Sequence, residues 1–97
     1  MGAYKIDEVD QHPAIRRMIK PKYPLLAEQD GVKEGKVLLR LVVDQEGRVQ
    51  KQQIVEAAPE GYFEEAALDA VSKYIFRPAV KDGENVSCVI KLPVKFP

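Results

Sequence analysis

Ninety-seven residues hold one small domain. Fifteen Lys and Arg balance fifteen Asp and Glu, so bulk attraction to nucleic acid or to an anionic membrane does not organise this protein. With 45% hydrophobic and 31% charged residues the composition is globular rather than disordered, and a single cysteine excludes an internal disulfide framework.

Residues 4–22 read as an arm. Its apolar members Tyr4, Ile6 and Val9 fit neither a helical nor a strand period, and Pro13, Pro21 and Pro24 punctuate it. Tyr23 precedes a proline and is held extended, and Pro24 then opens a short helix through Leu25, Leu26 and Ala27 that Gly31 closes. From Gly35 a first strand alternates Val37, Leu39, Leu41 and Val43 toward the core with Lys36, Leu38, Arg40 and Val42 on the other face. Asp44-Gln45-Glu46-Gly47 is a type I turn, and a second strand from Arg48 to about Ala57 completes a hairpin. Val49 and Ile54 are out of phase for a period of two, which predicts a bulge near Gln50 or Lys51.

Ala58-Pro59-Glu60-Gly61 breaks that strand. Phe63, Ala66, Ala67, Ala70, Val71, Tyr74 and Ile75 then repeat at helical spacing until Pro78 stops them. Asp82-Gly83 turns the chain into a last strand, Val86 to Phe96. Val86, Cys88, Ile90, Leu92, Val94 and Phe96 face inward there, and Ser87, Val89, Lys91, Pro93 and Lys95 face away. A proline in a strand belongs at a sheet edge, so Pro93 makes this strand an edge. The expectation is an α+β fold of order α-β-β-α-β. It has a three-stranded antiparallel sheet (order 2-1-3) with two helices on one face, and the last strand runs parallel to the second. Residues 1–17 form the end of an arm or linker and residues 18–97 the domain.

Few chemistries are open to these residues. Catalysis needs a nucleophile, a base and a stabiliser in one site. The only histidine, His12, lies on the arm, Cys88 lies on a core face as a buried inert thiol, and the six glycines are isolated. No CxxC or HxxxH spacing exists, so neither metal nor cofactor is expected, and the protein reads as no enzyme. Tyr74, Phe76, Arg77 and Lys81 interleave aromatic and basic residues, but zero net charge argues against nucleic acid. No apolar stretch approaches the ~20 residues of a membrane span. Met1-Gly2-Ala3 reads as a cloning scar, which predicts a piece of a longer protein.

The ordered set of motifs resembles the TonB C-terminal domain family. Lys20-Pro21-Lys22-Tyr23-Pro24, with Ala27 and then Gly31 to Val37, resembles its opening P-x-YP, short helix and, with one residue more between the glycines, G-x-x-G-x-V. Val43 to Val49 resembles its hairpin, Phe63 to Ala70 its second helix, Tyr74 to Ala79 its aromatic-x-F-x-P-A ending, and Gly83, Val86 and Leu92 to Phe96 its last strand. The match covers about residues 18–97.

That resemblance implies a periplasmic, non-enzymatic energy transducer. An N-terminal helix, absent here, would anchor it to the inner membrane beside ExbB and ExbD, which draw on the proton-motive force. The C-terminal domain would grip the TonB box of outer-membrane receptors for uptake of siderophores, cobalamin or similar cargo. The receptor peptide would add beside the last strand, along Val86, Ser87, Cys88, Val89, Ile90, Lys91, Leu92, Pro93, Val94 and Lys95. Further contacts would come from Met18, Ile19, Lys20, Pro21, Lys22, Tyr23 and Pro24. Blander readings stand beside these. Tyr23-Pro24 serves packing at the start of the helix, alone or in addition to binding; Pro93 blunts the edge against aggregation; Lys20, Lys22, Lys91 and Lys95 are solubilising charges or favour an acidic residue near the receptor box. The rival function is a TonB-like module of another envelope complex, with a different protein partner or peptidoglycan. Exposed edges also permit a homodimer.

Overall fold

The computed structural model describes residues 2–97. In chain order the elements are β1 (Tyr4–Lys5), a 3-10 turn at Ile6–Glu8, β2 (Ala14–Arg17), α1 (Leu25–Gln29), β3 (Gly35–Val43), β4 (Val49–Ala58), α2 (Glu64–Ser72), β5 (Ile75–Arg77), β6 (Ala79–Lys81), β7 (Glu84–Val86) and β8 (Cys88–Phe96).

The β3–β4 hairpin follows from its turn. The Asp44 carboxylate accepts hydrogen bonds from the backbone N–H groups of Glu46 and Arg48, both at 2.9 Å, and from the Gln50 side-chain amide at 2.6 Å. Gly47 completes the turn at φ +83°, and a Cβ there would strike the Phe76 carbonyl. Along β3, Val37, Leu39, Leu41 and Val43 are fully buried. β4 pairs with β3 through two irregularities. Lys51 opposes Val42 and Val49 opposes Val43, so Gln50 is the extra residue, at the expected bulge. A second, unexpected one leaves out Val55, which is 45% exposed.

The core lies on one face of the sheet. Ala27 of α1 and Ala67, Ala70 and Val71 of α2 pack with the inward residues of β3 and with Val94 and Phe96 of β8. α1 closes with the Schellman pattern: Gly31 at φ +72° donates to Glu28, and Val32 donates to Ala27.

Four expectations need correction. The expected three-stranded sheet has four strands, in the order β1-β8-β3-β4, because Tyr4–Lys5 pairs parallel to Cys88–Val89. The arm is therefore structured: β2 also pairs antiparallel with β5, and Gln11 exchanges backbone bonds with Val80. The second helix ends at Ser72 rather than Ile75, since Tyr74 and Phe76 turn inward with a strand's alternation and Ile75 joins β5. Lastly, the strand expected over Val86–Phe96 is two strands. Val86 closes a hairpin against Ala79, and the chain changes partner at Ser87 to run along β3.

Replacing Gly35 by Ala would drive a Cβ into the Phe63 ring, so Gly35→Ala is expected to destabilise by about 1–3 kcal/mol in urea unfolding. Asp44 gives the pH prediction. Burial pushes its pKa up, but the bonds from Arg48 N–H, the Gln50 amide and Glu46 N–H outweigh that and hold it below the ordinary value. Its contribution is present above the unfolded pKa of about 3.9 and is lost as pH falls through the lower folded value. Asp44→Asn should lower stability at neutral pH and flatten that acid limb of a melting-temperature profile.

Candidate functional site

The last strand has two sides. Toward the sheet interior, β8 pairs with β3 from Gly35↔Phe96 to Val43↔Cys88 without a slip. On its outer side the only strand among the described residues is β1, opposite Cys88 and Val89, with the Tyr4 N–H donating to the Ser87 carbonyl at 2.9 Å and the 3-10 turn after β1 bringing Ile6 beside Ile90 and Lys91. From Ile90 to Phe96 the outer edge pairs with no strand among the described residues.

Which groups that edge presents follows from Pro93. Residues of an antiparallel strand turn their N–H and C=O alternately toward one neighbour and the other. Pro93 has no N–H, so it takes an outward position, opposite Leu38. Ser87, six residues earlier, is also outward, as its bond from Tyr4 requires. Lys91 and Lys95 share that parity. The open edge thus offers the N–H groups of Lys91 and Lys95 and the carbonyls of Lys91, Pro93 and Lys95. Ile90, Leu92, Val94 and Phe96 turn their backbone groups to β3.

The opposite edge of the sheet differs. β4 carries irregularities at Gln50 and Val55, which bend it and break the outward spacing of its groups. β8 has none against β3.

The proline-tyrosine segment meets the end of this edge. Tyr23 packs edge-on to Phe63, with ring centroids 5.6 Å apart, and to Phe96 at 6.5 Å. Phe63 and Phe96 stack at 4.5 Å. The Tyr23 hydroxyl donates to the Val32 carbonyl at 2.5 Å, tying the segment to the loop after α1. Tyr23 therefore has a packing role in its own right. Met18, Lys20, Pro21 and Tyr23 line a groove of about 600 Å³ with Lys95, Phe96 and Pro97. Met18 is 64% exposed there, whereas Ile19 packs on the core.

Other expected site residues lie apart. Lys22 and Pro24 line a separate depression with Tyr62 and Glu64. Val86 belongs to the β6–β7 hairpin, and Ser87, Cys88 and Val89 lie against the arm. Cys88 is fully buried; burial, and secondarily the Glu8 charge, push its pKa up, so it rests as a thiol. The arm residues Tyr4 and Lys5, absent from the sequence reading of the site, set where the free edge begins. Two residues at an uninformative spacing carried no signal for that.

Two substitutions separate packing from edge covering. Tyr23→Phe removes one hydrogen bond and should cost about 1 kcal/mol in chemical unfolding. Deleting residues 2–9 should accelerate amide exchange at Val89, whose N–H turns toward the arm, and leave Leu92 and Val94 protected by β3. Equal acceleration along β8 would overturn the assignment of inward and outward groups.

Comparison with known proteins agrees with this architecture. The family described as Gram-negative bacterial TonB protein C-terminal matches residues 19–97. The chain is similar to protein TonB of Vibrio cholerae, 30% identical over 91% of this chain and 36% of that protein. It is similar also to protein TonB of Pseudomonas aeruginosa, 32% identical over 73% of this chain and 20% of that one. It thus spans little more than a third, or less, of these relatives. The solution structure of the Pseudomonas aeruginosa TonB C-terminal domain superposes with a TM-score of 0.72 at 26% identity, covering 100% of this chain and 95% of that one. The family is not one of enzymes, and this chain belongs to it as a TonB C-terminal domain.

Proposed function

We propose that this is the periplasmic domain of a TonB-like energy transducer, which binds the TonB box of outer-membrane receptors by strand addition to the β8 edge. The observation that carries the reading is the asymmetry of β8, paired along its whole length on one side and open from Ile90 onward on the other. An extended peptide completes such an edge through backbone bonds and draws selectivity from side-chain pockets. The groove between Met18, Pro21, Tyr23 and Phe96 lies where a strand seated on the edge would run past Lys95. The remainder of a whole transducer would add the inner-membrane helix, its ExbB and ExbD partners, and the force derived from the proton-motive force. The cargo would be siderophores, cobalamin or similar molecules.

The test is an NMR titration with a panel of TonB-box peptides and scrambled controls. Shifts along Lys91–Phe96 and Met18–Tyr23, absent with the scrambles, are expected. No response to any box sinks the receptor reading and moves weight to another envelope partner, with peptidoglycan fragments titrated next. Backbone chemistry adds a sharper prediction. Lys91→Pro removes an outward N–H without touching the β3 ladder, so it should weaken peptide binding about fivefold beyond Lys91→Gln, while Lys22→Ala has little effect. Sedimentation at rising concentration checks the competing use of the same edge, pairing between two copies.

A further inference from the structure

The face of the sheet away from the helices carries an uncompensated charge pattern. In the register of β3 with β8, Lys36 lies directly opposite Lys95, and Arg40 directly opposite Lys91. All four side chains point to this face and are exposed. Like charges directly opposite in a sheet repel. The β4 residues directly opposite carry no charge, since Lys36 faces Ala58 and Arg40 faces Gln53 on that side. The one acid of β4 on this face, Glu56, stands opposite Leu38, in the apolar row between the two basic ones. Among the described residues the only ion pair is Lys73–Asp69, on α2 and the turn after it. In a chain of zero net charge, two cation pairs on one face, neither ion-paired to a carboxylate among the described residues, are a concentration, not an average.

Both rows end at the open edge, because Lys91 and Lys95 are the outermost residues of each. We infer that the segment completing this edge is an acidic strand, with carboxylates four residues apart that stand beside Lys91 and Lys95 on the open face. This rests on the edge-addition reading and names the side-chain chemistry that reading leaves open. A carboxylate beside Lys91 extends the row Gln53–Arg40–Lys91 with the charge it lacks. A second beside Lys95 does the same for Lys36–Lys95. Between them, the residue beside Pro93 has no charge to meet. The intervening residues of the strand fall on the core face, next to the half-buried Leu92 and the buried Val94, and are apolar. The pattern selected is acid-apolar-neutral-apolar-acid.

The probe is a capped peptide Gly-Glu-Val-Thr-Val-Glu-Gly, beside versions with Gln or Lys in place of both Glu residues. They are titrated by NMR into the whole 97-residue chain. The Glu peptide should bind about fivefold to tenfold more tightly than the Gln peptide, and the Lys peptide more weakly than either. Added salt should narrow the differences. In the double variant Lys91→Glu/Lys95→Glu the order should reverse. That variant sets opposite charges against Arg40 and Lys36, so its fold is not at risk, and an unchanged melting temperature or a higher one checks this. Equal binding of all three peptides at the edge overturns the acidic-strand inference and leaves edge addition standing. No binding of any, or shifts away from Lys91–Phe96, overturns both. A domain that binds phosphatidylglycerol vesicles while showing no preference for the Glu peptide assigns the basic face to a lipid surface and also overturns the inference.

Discussion

The register between β3 and β8 is the constraint on which the remainder of the molecule depends. Each strand is nine residues long and they pair end to end without a slip. A shift of one residue would turn Cys88, Val94 and Phe96 out of the core and bring Lys91 and Lys95 in. The same register sets Phe96 opposite Gly35. Lacking a Cβ, Gly35 leaves room for the Phe63 ring, which would otherwise be struck, and Phe63 then stacks on Phe96. Tyr23 closes on both rings and hands its hydroxyl to Val32. One pairing thus fixes the inward face of β8, the docking of α2 through Phe63, and the position of the proline-tyrosine segment beside the strand's end.

The two edges of the sheet are managed in opposite ways. A sheet edge invites unwanted pairing, and bulges are one standard protection. β4 has two such irregularities. β8 is regular; it is shielded by the arm over two residues and otherwise by a proline and two lysines. Proline and lysine discourage an arbitrary partner while keeping the outward carbonyls and two donors intact. On the proposed reading, such an edge would reject apolar strands of no particular charge and accept one that answers its cations. The arm divides the strand further. Its pairing with β8 at Tyr4–Lys5 is backed by Asp10 and Gln11 on β6, and by the Asp82 N–H donating to the Asp10 carboxylate at 2.7 Å.

Much of this was legible in the sequence, and the failures share a cause. The strict alternation of β3, the turn at Asp44, the phase break that puts a bulge at Gln50 and the Gly31 helix stop are all local signals. The arm's pairings are not. Tyr4–Lys5 and Ala14–Arg17 find partners some sixty to eighty residues away, and strands of two and four residues are too short to show a period. The end of α2 was misplaced because Tyr74 satisfies both periods: it continues the helical stripe and begins the alternation with Phe76. Ser87 was missed as a boundary because alternation records which way side chains face and says nothing of which strand lies alongside. Of the candidate site, the edge character of β8 was readable from Pro93 alone, whereas the groove beneath Met18 and Pro21 depends on Phe96 and Pro97 arriving there.

The same parity that opens the edge decides what gives way under load. A strand seated on β8 has five outward groups to bond, two N–H and three carbonyls, each worth about 1 kcal/mol net. β8 itself is held to β3 by the inward groups of five residues, Cys88, Ile90, Leu92, Val94 and Phe96. Three of those side chains, Cys88, Val94 and Phe96, are also buried in the domain. Burial of a large apolar side chain adds about 1.5–3 kcal/mol. Pulling along the strand direction would load the bonds of such a peptide together, so they would resist until they shear as a set. Because the inner attachment exceeds the outer one in both bonds and buried area, a peptide seated there would leave before β8 does. On the edge-addition reading, the strand that offers the edge is held more firmly on its inner side than on its outer one, and the domain would release a loaded partner with β8 still in the sheet.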